Sequence, residues 1–148
     1  MRLRTAMPLL AALAATPALA ALDSHAALPA EHHEGKISYM SGGIGSDEAH
    51  AMRREAAHYP LELLFVSRHG KRDDYLADMP LTIKDAKGEV MFRGRSDGPY
   101  FLAKLPAGRY TVISTEHGHP VTRHVSVGAK GTRRVVLQWK GAEGRHKA

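Results

Sequence analysis

The sequence predicts a mainly-β protein: a seven-stranded antiparallel β-sandwich preceded by one short α-helix, behind a cleaved export signal. Three observations carry this reading. From residue 61 onward, short apolar or alternating segments recur with Gly, Pro and Asp turns at roughly ten-residue spacing, the rhythm of a sandwich. Helical spacing is confined to a single stretch, residues 46–58. No segment repeats at a fixed interval, which excludes a solenoid or propeller. The length of 148 residues is that of one domain, and 43% hydrophobic with 24% charged residues is ordinary globular composition. With no cysteine, a disulfide scaffold, a thiolate zinc site and a cysteine nucleophile are all excluded.

The chain opens with Arg2 and Arg4, followed by the uncharged, Ala- and Leu-rich residues 7–20, which end Ala18-Leu19-Ala20. A positive start, an apolar run and small residues at the cleavage position form a secretory signal. The run is shorter than the roughly 20 residues of a membrane helix, and Pro8 and Pro17 weaken it as an anchor. An uncleaved membrane helix is the alternative. Cleavage is expected after Ala20, giving a periplasmic or secreted protein with no transmembrane segment. Without disulfides, such a domain must rely on its own core.

Residues 21–45 are expected to form a flexible arm, with Lys36 to Met40 as a short strand or ordered portion and Ser41-Gly42-Gly43-Ile44-Gly45 as a glycine turn. Ser46 is placed as a helix N-cap, with Asp47 and Glu48 favourable in the first turn. Ala49, Met52, Ala56 and Ala57 give a narrow apolar stripe, and Pro60 ends the helix. The sandwich is expected over 59–140. Leu61 to Val66 reads as a mostly apolar strand and Ser67 to Asp74 as a polar, basic loop. Leu81 to Lys84, Glu89 to Arg93, Tyr100 to Leu105, Arg109 to Ser114, Val121 to Val127 and Val135 to Trp139 supply six more strands. Asp85-Ala86-Lys87-Gly88 is a hairpin turn. In Pro106-Ala107-Gly108, Gly108 is expected to supply a positive φ. Residues 141–148 form a basic tail.

The run Asp97-Gly98-Pro99-Tyr100-Phe101-Leu102-Ala103-Lys104-Leu105-Pro106-Ala107-Gly108-Arg109-Tyr110-Thr111-Val112, with Leu81 to Gly88 before it, resembles the carboxypeptidase regulatory-like domains, which have a prealbumin-like sandwich. The resemblance covers residues 61–139 and rests chiefly on Leu105-Pro106-Ala107-Gly108-Arg109-Tyr110. Ser41 to Gly45 and the helix look like those of small, exported, single-domain bacterial members. The resemblance implies a non-catalytic binding or structural module of the cell envelope, acting on a protein or envelope partner. One enzymatic relative of the fold, the 5-hydroxyisourate hydrolase branch, ends in Tyr-Arg-Gly-Ser. This chain ends Gly144-Arg145-His146-Lys147-Ala148 and lacks it. No zinc-peptidase His-x-x-Glu pattern is present either.

Four other features carry possible chemistry. Gly94-Arg95-Ser96-Asp97-Gly98 matches G-x-S-x-G, but that motif needs a strand, a sharp turn and a helix; here Pro99 and a strand follow, so a hairpin turn is expected. Gly42-Gly43-Ile44-Gly45 before a helix has the look of a phosphate loop, yet Asp47 and Glu48 would repel a phosphate. Histidine is in excess, at ten. His117, His119 and His124 fall in one hairpin and could hold zinc or copper, with His32 and His33 as further donors; solvated turn histidines without a cofactor are the simpler alternative. From Arg123 onward, Arg123, Lys130, Arg133, Arg134, Lys140, Arg145 and Lys147 stand against one acid, Glu143. That excess favours an anionic or acidic partner, or only a solvated face. No nucleic-acid motif accompanies it, and an exported protein meets little nucleic acid.

Overall fold

Leu61 to Val66 is apolar except for the buried Glu62 and does not alternate, because its strand is covered on both faces. In a computed structural model describing residues 27–141, the order is β1 (His32–Glu34), β2 (Ile37–Gly42), α1 (Ser46–Glu55), a 3₁₀ turn (Ala56–His58), β3 (Leu61–His69), β4 (Arg72–Tyr75), β5 (Met79–Asp85), β6 (Val90–Ser96), β7 (Tyr100–Lys104), β8 (Gly108–Glu116), β9 (His119–Val127) and β10 (Arg133–Lys140). One sheet has the order β1-β2-β7-β3-β10, with β4 on the far half of β3; the other is β6-β5-β8-β9. The expected signal peptide and the tail past Gly141 lie outside the described residues. Among those described, no helix is long and apolar enough to cross a membrane.

Among the described residues the mainly-β class and one short α-helix are as expected, but the helix expected over 46–58 ends at Glu55, and Ala56–His58 is a 3₁₀ turn. The strand count is not: ten strands are described where seven were expected, and β3 and β10 run parallel, in register from Leu61 with Arg133 to Arg68 with Lys140. The expected polar loop at 67–74 is instead the end of β3, a two-residue turn with Gly70 at φ 61°, and β4. β4 escapes periodicity because it buries almost nothing. The expected flexible arm holds β1 and β2, with β2 paired to β7 along Ser38 to Gly42. Gly108 does not have the positive φ expected of it; it opens β8 in extended conformation. Ser46 is not the N-cap. Gly45 takes that place at φ 85°, a conformation costly for other residues, so Ser46 becomes the first helical residue.

The core between the sheets is made by alternate residues: Leu61, Leu63 and Phe65 of β3 face Leu81 and Ile83 of β5 and Val112 of β8. A smaller core lies on the other face of the six-stranded sheet. There Met52 and Ala56 of the helix cover Met40, Leu64, Val66, Tyr100 and Leu102. The layers are therefore helix, six-stranded sheet and four-stranded sheet.

The segment before β1 is tied down by charge. Lys104 Nζ lies 3.0 Å from Glu31 Oε1 and 4.9 Å from the centre of the buried Tyr59 ring. Burial first, and Glu31 second, push the Tyr59 phenol up to about 12. The hydrogen bond from Lys104 holds Glu31 below its usual 4.5, and that from Arg68 holds Asp73 below 3.8. Carboxyls depressed by folding add stability above their unfolded values and lose it as pH falls through the folded ones. Melting temperature is thus expected to decline once pH drops below 4.5, with a shallower acid slope in Lys104→Met. An identical slope in that variant would remove the pair from the account.

Candidate functional site

Two two-residue turns bring the chemistry of the molecule to one end of the sandwich. The β8–β9 turn is His117-Gly118, at φ 45° and 79°, with Glu116 opposite His119. Positive φ at both positions matches the right-handed strand twist, and Gly118 supplies one at no steric cost. The β3–β4 turn sets Ser67 opposite Asp74, and His69 follows two residues along the same face. A cleft of about 700 Å³ opens between the sheets there, lined by His69, Asp74, Glu116, His117, His119, Trp139 and Lys140, among others. The Trp139 indole crosses from β10 and donates to the His119 carbonyl at 2.8 Å, joining the two sheets at the cleft.

The polar groups are shared, not stacked for attack. His69 Nε2 is 3.3 Å from Ser67 Oγ and 3.5 Å from Asp74 Oδ2. A serine relay needs the hydroxyl on one ring nitrogen and the carboxylate on the other; here both meet the same one. Arg72 Nε takes the second Asp74 oxygen at 3.1 Å. His117 is 3.8 Å from Glu116 and its side chain is solvent-exposed. The cleft therefore offers imidazoles, an ammonium and carboxylates to a polar partner carrying both signs of charge.

The three histidines expected to share a metal are not brought together. His117 and His119 line the cleft, but His124 lies five residues along β9, about 16 Å away at 3.3 Å per residue and on the other face. There it is 3.2 Å from Thr111 Oγ1, beside a separate hollow with Arg109 and Ser126. His32 stacks on Tyr39 and His33 meets Ser38, both away from this end. Among the described residues, no three His, Cys, Asp or Glu side chains are grouped to hold an ion.

Two other motifs resolve into turns. Ser96 is buried, and its hydroxyl donates to the Gly98 carbonyl at 2.7 Å. Gly43 N–H is taken by Glu48 Oε1 at 2.7 Å, so the chain's own carboxylate occupies the place a phosphate would need. The late basic run is dispersed: Arg123 and Lys130 are on or after β9, and Arg133, Arg134 and Lys140 on β10, with Arg134 3.8 Å from the buried Glu62. Sequence reasoning missed His69 and Asp74. Their one signal was Gly70, a turn former between two charged polar segments. No protein-family model matches the chain, and no curated protein matches it.

Proposed function

We propose that the chain is an exported, non-catalytic β-sandwich module of the bacterial cell envelope, of the prealbumin-like, carboxypeptidase regulatory-like kind. It binds a polar protein or envelope component in the cleft at the β3–β4 and β8–β9 turns. One observation carries this reading: rigid strand ends from both sheets converge on one polar cleft, yet its Ser67, His69 and Asp74 meet on a single ring nitrogen. Loops set on a rigid scaffold are where binding residues concentrate. The signal-like residues 1–20 support the address, and Leu105 to Tyr110 the family.

A photo-crosslinking residue at His117 tests the cleft in the envelope, with the same residue at Ala86, on the β5–β6 turn, as control. A discrete adduct from position 117 is expected and none from 86. The reverse pattern would move the partner elsewhere. Turnover of an ester or peptide library that is lost in Ser67→Ala would overturn the non-catalytic reading.

Because His124 stands apart, zinc or copper is expected to leave the melting temperature of the purified protein unmoved, and His117→Ala to change nothing in that titration. Stoichiometric metal in the untagged protein would restore the alternative of a metal-binding protein.

A further inference from the structure

A second hollow lies on the helix side of the six-stranded sheet. Its walls are Ile44 and Tyr75, 64% and 59% exposed, among the few large apolar side chains left in solvent. The hollow is about 450 Å³, within the range that holds small organic ligands. Its floor is Tyr100, which stacks with Tyr75 at 6.5 Å, together with Ala49.

The exposure of Ile44 is built in. Gly43 and Gly45 flank it at φ 95° and 85°, and Gly43 N–H is fixed by Glu48. A Cβ on Gly43 would strike the Tyr100 ring, so the loop lies flat on the floor of the hollow. Nearby, Ser41 Oγ is hydrogen-bonded to Asp97 through both its carboxylate and its backbone N–H, at 3.2 and 3.1 Å. A loop fastened at these points holds its one large side chain in water.

The polar lining is one-sided. His50 and Arg53 stand one helical turn apart on the same flank of α1 and both line the hollow. His50 Nδ1 is engaged by the Ser46 carbonyl at 2.6 Å. Among the described residues, Arg53 has no carboxylate within 4.0 Å and no acid lines the hollow. Apolar walls with a guanidinium at the rim select a ligand that is apolar at one end and anionic at the other.

We infer that this hollow is a binding site for a small organic acid with an aromatic or branched alkyl body, which packs between Ile44 and Tyr75 while its carboxylate meets Arg53. It is separate from the cleft proposed above and does not rest on that reading. The fork of a guanidinium suits a carboxylate in two-point contact, and such charge-assisted bonds are stronger than neutral ones.

The test is calorimetric titration of the purified full chain with 3-phenylpropanoate, its neutral amide and a peptide ending in Phe. The acid is expected to bind about tenfold more tightly than the amide, the difference one charge-assisted hydrogen bond makes. Arg53→Gln is expected to bring the acid to the amide's affinity and leave the amide unchanged. Ile44→Ser and Tyr75→Ala are expected to weaken both. All three are surface substitutions, so melting temperatures close to the parent's confirm folding. Equal affinity for acid and amide, binding indifferent to Arg53→Gln, no binding of the acid, or binding of the peptide alone would each overturn the assignment.

Discussion

Phe101→Ala is expected to lower the free energy of unfolding by about 3–5 kcal/mol, the usual cost of emptying a fully buried aromatic site. Phe101 sits on β7, the middle strand of the larger sheet, opposite Ser41 and Leu63, and is wholly buried. Its ring lies 5.2 Å from Tyr39 and 5.0 Å from Phe92, and those two are 4.8 Å apart. Tyr39 comes from β2 and Phe92 from β6, so the three rings close the sandwich along one side. Removing the middle ring leaves a void that rigid strands fill poorly, and it also removes aromatic pairs worth about 0.5–1.5 kcal/mol each. Domains of this size have about 5–15 kcal/mol in total, so the variant is expected to be marginal at 37 °C. Phe101→Leu keeps most of the volume and is expected to cost far less. Urea unfolding of the three proteins reads this directly. A loss under 1 kcal/mol in Phe101→Ala would mean that these rings do not close the sandwich.

Gly98→Ala is the second large effect, about 3 kcal/mol, at the upper end of ordinary overpacking. A Cβ on Gly98 would fall on the Gly42 backbone carbonyl, where no flexible side chain can move away. The turn after β6 and the glycine loop after β2 interlock there, and Ser41 and Asp97 hold the two together. Either the turn or the loop must shift, which would disturb the loop carrying Ile44 as well. Gly118→Ala makes the useful contrast. It adds a Cβ in open space, so its cost is only that of a left-handed conformation at φ 79°, about 1–2 kcal/mol. Were Gly118→Ala the more damaging of the two, the interlock would be wrong.

The alternation at Arg109 to Ser114 and at Val135 to Trp139 was legible because each strand buries one face, and burial writes a period of two into the chain. β1 and β4 left no such trace. His32-His33-Glu34 and Arg72 to Tyr75 are largely exposed, and a strand that buries almost nothing has no apolar period to read. The helix start slipped by one residue because Gly45 can adopt a backbone that makes it the cap, and a side-chain preference for Ser says nothing of that. The candidate site was half legible: His117 and His119 were found as a tight turn, but His69 and Asp74 sat in what read as a loop. Their meeting depends on the inter-sheet packing that brings β3 and β10 against β9.

Local sequence alone determined the β class, a short helix beginning at Ser46, most of the turns and the core faces of the later strands, because these follow from backbone preferences and from which side chains leave water. The pairing of Arg133 with Leu61, the separation of His124 from His117 and His119, the polar cleft and the apolar hollow at Ile44 were decided only by tertiary structure. Each joins residues far apart in the chain or depends on a strand's register, and a shift of one residue would send every side chain to the opposite face.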